Sequence, residues 1–339
     1  MMTVFGELGL GAGLKPSVDF GHLQRWFQSE PECTAAFDPL LSPIQEFLDR
    51  PAKKIRAQLV YSSFDLARKN SDPAPLGRSL LPTLAALVEA LHAGSLVIDD
   101  IQDAGTNRRG RPALHSLMGQ PSAINAANWL YFWPADQMRR EDLPQELELE
   151  IYRLYHQTMT RAHYGQALDL AYDMTRTSQE RVHSICRAAI GLKTGALMGM
   201  CSELGALAAL ADSSTRARLS AFGESFGACL QMFNDVSELR GKSPTQGSVG
   251  PFIRPSWIWA VASQMLDGSE FLEFQQQMSR AAETSSMEQL SRHRVIEQAW
   301  HQAVEAMDSS VRELRQEFQN SDAIHAVVQM AKRIQDAYA

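Results

Sequence analysis

Cysteine is scarce in this chain. Four residues (Cys33, Cys186, Cys201 and Cys229) are spread over 339 positions. No CxxC pair or metal-ligand spacing joins them, which excludes a disulfide framework and a structural zinc site and predicts buried thiols in a reducing compartment. Positive charge is not in surplus: 32 Lys and Arg against 39 Asp and Glu give a net charge of −7. That argues against a general nucleic-acid binder, so local basic clusters must be read as sites. No apolar run reaches the ~20 residues that span a bilayer. The opening MMTVFGELGLGAGLKP lacks the basic start and continuous apolar core of a signal peptide. These absences predict a soluble, cytoplasmic protein. Period-two alternation is missing as well, and with it any convincing strand pair. There is no internal repeat, no low-complexity tract and no triad-like nucleophile arrangement.

What is present is helical periodicity. Apolar residues recur three or four apart over Ser79–Asp103, Ala123–Met138, Glu146–Tyr172, Thr194–Ala211, Arg216–Leu239 and Met287–Phe318. Gly and Pro break the pattern at Ser71–Gly77, Gly105–Pro112, Gly119–Pro121 and Gly241–Pro255. With 45% hydrophobic residues and no long polar linker, the chain predicts an all-α class. It reads as one large helical bundle over residues 18–339, after a flexible stretch over 1–17. The loop Gly241–Gly250 is also expected to be mobile.

The segment SLVIDDIQDAGTNRRGRPALH, Ser95–His115, carries the chemistry. On a helix Asp99 and Asp103 stand one turn apart on one face, with Asp100 adding negative charge. Like charges so placed repel unless a cation lies between them. Hard oxygen ligands suit Mg²⁺, which typically takes one or two carboxylates and completes its shell with water and phosphate. The preceding LVEALHAGSLVIDD is apolar on most sides, so acids at its end are costly unless paired or metal-bound. Arg108, Arg109 and Arg111 follow in a Gly-bounded loop, where guanidinium groups either bridge to these aspartates or fork onto phosphate oxygens.

In its order of motifs from Pro51 to Pro255 the chain resembles the trans-isoprenyl diphosphate synthases, the polyprenyl synthetase family, and is closest in look to geranylgeranyl diphosphate synthases. LHAGSLVIDDIQDAGTNRRGRPALH is similar to that family's first aspartate-rich region. PAKKIRAQL resembles its basic segment for the acceptor diphosphate, with Lys53 and Arg56 at matching positions and Pro51 and Ala52 in place of a glycine pair. The resemblance implies that His92 and Arg109 join the acceptor diphosphate and that Arg108 takes the allylic one. It implies allylic contacts for Lys193 and Thr194 of GLKTGAL as well. Gly165, Gln166 and Asp169 in HYGQALDL resemble a further family segment, although read alone GQALD is close helix packing at a glycine.

LQMFNDVSELRGK stands where the second aspartate-rich motif belongs, but Asn234 replaces the first aspartate and Glu238 the last carboxylate. Gln231, Asp235 and Glu238 share a helical face. The resemblance implies Mg²⁺ on Asp99, Asp103, Asp235 and Glu238, with Asp100 and Lys193 in the catalytic set and Gln231 on the substrate. The usual lysine after this motif is missing, leaving Lys242 and Arg254 nearby. The implied activity joins an allylic diphosphate to isopentenyl diphosphate, in a homodimer. Gly94 and Ser95 occupy the ground that sets chain length, and their small side chains point to a geranylgeranyl product unless Trp129, Phe132 or Trp133 closes the cavity floor. Three alternatives stay open: a terpene cyclase, a prenyltransferase with a non-diphosphate acceptor such as an indole, and a non-catalytic partner subunit.

Overall fold

The computed structural model of the protein describes residues 41–68, 75–139, 141–240, 250–284, 294–318 and 321–339. The stretch 1–17 and Lys242, with most of its loop, lie outside them. Among the described residues every regular element is helical except one short strand pair. The helices are α1 (residues 41–49), α2 (Ile55–Ala67), α3 (Pro75–Gln102), α4 (Leu114–Met118), α5 (Gln120–Met138), α6 (Gln145–Ala171) and α7 (Gln179–Ile190). They continue as α8 (Ala196–Ala208), α9 (Ser213–Leu239), α10 (Gly250–Ile253), α11 (Trp257–Met265), α12 (Gly268–Thr284), α13 (Arg294–Glu317) and α14 (Ser321–Tyr338). The expected all-α class is observed. The expectation of no strand pair is corrected: β1 (Asn107–Arg108) and β2 (Arg111–Pro112) form an antiparallel ladder with Arg108 opposite Arg111.

The chain divides into two compact units. The first holds residues through Ala57 and Ser79–Leu143; the second holds Gln58–Arg78 and Pro144–Ala339. In the first, Ile44, Phe47 and Leu48 of α1 meet Ala90, Ala93 and Val97 of α3 and the Ala123, Ala126, Ala127 and Leu130 face of α5. The small residues of α5 recur at three- and four-residue spacing, which lets α3 lie close against it. The stretch Gly77–Gln102 of α3 is long and apolar enough to cross a membrane, correcting the expectation that no run would be. Of its most apolar window 61% is buried in the protein, as in a core helix.

In the second unit α8 is buried on all sides, Glu203 being the exception. A helix so uniformly apolar must be surrounded, and α9 packs along it. Asp212 caps α9 by accepting from the Thr215 amide at 2.8 Å, satisfying one of the donors a helix start leaves unpaired. A second apolar cluster joins α7, α11, α12 and α13. At its centre the fully buried Trp259 packs edge-on against Phe274 and Phe271, with ring centroids 5.0 and 6.1 Å away. Truncation there leaves a cavity as well as losing burial. Trp259→Ala is therefore expected to lower the unfolding free energy by about 3–5 kcal/mol. Urea titration of the full chain checks this, and a loss no larger than that of a surface substitution would overturn the packing argument.

Candidate functional site

The first unit gathers the leading motif. Helix α3 ends in a Schellman arrangement: the Gly105 amide donates to the Asp100 carbonyl at 2.8 Å and the Ala104 amide to that of Ile101 at 3.3 Å. Ala104 takes the left-handed conformation that closes it (φ +52°). This stop turns the chain back so that the following arginines face the helix end. Arg108 donates to Asp100 Oδ1 from Nε at 2.9 Å and also from Nη2. Asp100 is 1% exposed, and its second oxygen, Oδ2, is buried without a hydrogen-bond partner. Burial pushes its pKa up, while the Arg108 contact pulls the other way. Asp100 thus fixes Arg108, and the half-buried Asp99 and Asp103 remain as a pair one turn apart.

Arg108 and Arg111 close a two-residue hairpin through Arg109 and Gly110, both at positive φ (+56° and +75°). Mirror-image turns of this kind match the strand twist but strain any residue other than Gly, Asn or Asp. His92, on α3, lies among the charges of Arg56, Arg109, Arg108 and Lys54. Burial first, and then these cations, hold its pKa well below the ordinary value, so the imidazole is neutral at physiological pH. Lys53, the lysine expected here, is exposed, whereas its neighbour Lys54 reaches inward with its ammonium 3.5 Å from Glu89. Glu89, a buried carboxylate that the sequence reading passed over, also accepts from the Ala57 amide at 3.3 Å. It thereby satisfies a donor in the first turn of α2 and anchors the Lys54–Arg56 segment.

Gly94 occupies different ground from that expected. A Cβ there would stand 3.0 Å from the Ala127 carbonyl oxygen and 3.0 Å from the Tyr131 ring. Its smallness serves the approach of α5, not open space. The Ser95 hydroxyl donates to the His92 carbonyl at 2.8 Å. Of the aromatics named for a cavity floor, Trp133 is core, Trp129 packs tilted against it with ring centroids 5.6 Å apart, and Phe132 is 74% exposed.

The second unit holds the other motifs. Between α7 and α8 the segment Gly191–Gly195 (GLKTG) is a single π-helical turn, a feature often found at functional sites. A Cβ on Gly165 would lie 2.4 Å from the Lys193 amide nitrogen, so the glycine is what lets α6 reach this turn. The turn swings Lys193 to within 3.4 Å of Asp169, on whose same oxygen Arg254 also sits at 3.2 Å. A hydrogen-bond chain runs beside it. Thr194 donates to Gln231 at 2.9 Å, Gln231 to Asp235 Oδ1 at 2.8 Å, and the Trp257 amide to Asp235 Oδ2 at 2.7 Å.

Asp235 was expected to hold metal, but both its oxygens are engaged by neutral donors, and burial raises its pKa to about 7. A buried carboxyl of this kind ties α9 to the start of α11. Asn234 and Glu238, beside it, stand half-buried. Among the described residues no group of three His, Cys, Asp or Glu forms a ready-made metal cluster. The Asp99–Asp103 pair suits Mg²⁺, which needs no more than two carboxylates when a phosphate completes its shell. Sequence reasoning missed Arg254 as a partner of Asp169 and Glu89 as an anchor, because both contacts join residues far apart in the chain.

The family profile described as polyprenyl synthetase matches residues 38–288. The geranylgeranyl pyrophosphate synthase atmG of Aspergillus flavus is 32% identical over 164 residues, 48% of this chain and 44% of that protein. The chain thus spans about half the length of the curated relatives it matches. Among solved structures, the geranylgeranyl pyrophosphate synthetase of Pyrococcus horikoshii superposes with a TM-score of 0.76 at 21% identity, covering 98% of this chain and 97% of that one. A polyprenyl synthase of Caulobacter crescentus, complexed with calcium and isoprenyl diphosphate, gives 0.65 at 16% identity, covering 95% and 98%. These likenesses establish a common fold.

Asp235 yields a signed expectation. Its carboxyl keeps a proton up to about pH 7 in the folded protein, whereas an unfolded one loses it near ~3.9. The native state therefore binds more protons between those values. Its contribution to stability is complete below about pH 4 and is lost as pH rises toward 7. Asp235→Asn should flatten the fall in melting temperature over that window; equal slopes for variant and parent would refute the assignment.

Proposed function

Since the chain belongs to the polyprenyl synthetase family, we propose that it elongates an allylic prenyl diphosphate with isopentenyl diphosphate, giving geranylgeranyl diphosphate. The observation that carries this reading is the cationic group of Lys54, Arg56, Arg108 and Arg109 around neutral His92, on the helix that presents Asp99 and Asp103. A cyclase has no acceptor diphosphate to hold and no need of such a cluster. Arg109 and Arg56 can fork onto phosphate oxygens. Neutral His92 can add a ring N–H without further charge. Arg108, braced by Asp100, is the candidate for the second diphosphate.

Mg²⁺ held by Asp99 and Asp103 would supply electrostatic stabilisation of the departing diphosphate. The allylic C–O bond breaks, the double bond of isopentenyl diphosphate forms the new C–C bond, and the proton released passes to the freed diphosphate. A homodimer fits the exposed apolar side chains of α5, Ile124 at 40% and Phe132 at 74%, which lie on one side of the helix. One observation favours a second reading: the second motif carries Asn234 in place of its first aspartate, and Asp235 accepts from Gln231 and the Trp257 amide. That suits a cyclase or a non-diphosphate acceptor.

The test is a product assay with farnesyl diphosphate and Mg²⁺, with and without isopentenyl diphosphate. Geranylgeranyl diphosphate should form only when both are present. Asp99→Ala should lower kcat/KM by about a hundredfold or more. A cyclic hydrocarbon made without isopentenyl diphosphate would replace this reading with the second one.

A further inference from the structure

Arg50 sits among the largest fully buried side chains of the protein, in otherwise apolar company. Its guanidinium lies 5.0 Å over the Phe47 ring. Nε and Nη2 donate to Glu46 Oε2 at 3.0 and 2.7 Å, and Nη1 donates to the backbone carbonyl of Arg108 at 3.1 Å. Arg111 bonds the other oxygen of the same Glu46. Arg108 and Arg111 are the paired residues of the hairpin. Both of its strands are therefore tied to α1, one through a main-chain oxygen and the other through a side chain.

Between those ties stands Arg109 with φ +56°. A non-glycine residue persists in that region only where its surroundings over-determine it. A buried arginine, for its part, needs its donors satisfied. Glu46 and the Arg108 carbonyl meet that need. Neither Arg50 nor Glu46 belongs to the set that faces the diphosphates.

We propose that Arg50 and Glu46 form a latch that positions the Arg108–Arg111 hairpin, so that Arg109 is presented to the acceptor diphosphate at the start of binding. They are positioning residues, acting through Arg108 and Arg111. The role in binding rests on the synthase reading above; the latch itself does not.

Arg50→Lys keeps the charge but loses the fork, and Glu46→Gln keeps the shape but loses the charge. Two measurements on the full chain compare them with the parent: amide hydrogen exchange over residues 106–113, with α5 as reference, and steady-state kinetics in isopentenyl diphosphate. Hairpin exchange should quicken about tenfold with α5 unchanged, and KM should rise about tenfold with kcat within about threefold. Unchanged hairpin exchange overturns the latch. Faster exchange with an unchanged KM overturns its role in binding. Faster exchange throughout, with a fall in kcat, means general destabilisation and overturns it too. Should the parent not turn over, the synthase reading fails by itself. The latch is then judged on exchange and on calorimetric titration of inorganic pyrophosphate into the same three proteins. Weaker binding in the two variants upholds it, and equal binding in all three overturns it.

Discussion

The ion pair between Asp100 and Arg108 is the contact on which the first unit depends. Helix α3 is apolar for most of its length and ends in three carboxylates, at the pole where the helix macrodipole is itself negative. Asp100 is the member that the fold buries. Without Arg108 it would be an uncompensated interior charge, and breaking such a pair costs about 3–5 kcal/mol. Meeting this demand requires the chain to reverse at once after Gln102, which the Schellman stop at Ala104 and Gly105 accomplishes. The reversal brings Arg108 back over the helix end, places its carbonyl beside Arg50, and leaves Arg109 at the tip. One buried carboxylate thus sets the geometry of a loop that holds three arginines.

The second unit solves a similar problem differently. Asp235 is also deeply buried, but its donors are an amide side chain and a backbone N–H, both neutral. Neutral donors in apolar surroundings do not offset the loss of water around a charge, so the carboxyl carries a proton up to about pH 7. Charge pairing passes to Asp169, against Lys193 and Arg254.

Much of this was legible in the sequence. Periodicity predicted Ala123–Met138 against the observed Gln120–Met138, and Glu146–Tyr172 against Gln145–Ala171, because both stretches are long and bounded by Gly or Pro. Arg56, Arg108 and Arg109 around His92 were also foreseen, since they recur in a family order, but the lysine of the group is Lys54 and not the expected Lys53. What was missed has physical causes. Helices α2, α7, α12 and α14 were passed over: α2 carries almost no apolar stripe, whereas the other three are amphipathic and were not read as separate runs. The strand pair is four residues long, and its turn places an arginine where glycine or asparagine is usual. Gly94 was read as space, yet spacing cannot tell a glycine that opens a cavity from one that admits a neighbouring backbone. For Asp235 a sequence shows that a carboxylate is present but not that Gln231 and the Trp257 amide donate to its oxygens.

The protonation of His92 joins these observations to chemistry. Burial and four neighbouring cations push its pKa in the same direction, so the imidazole adds no charge to the group. That matters because Lys54 is spent on Glu89 and Arg108 on Asp100. A protonated histidine among these cations would add repulsion to the group. With His92 neutral, Arg56 and Arg109 stand beside a donor that costs no Coulomb energy. On the proposed reading, such a group suits an anion of more than one charge.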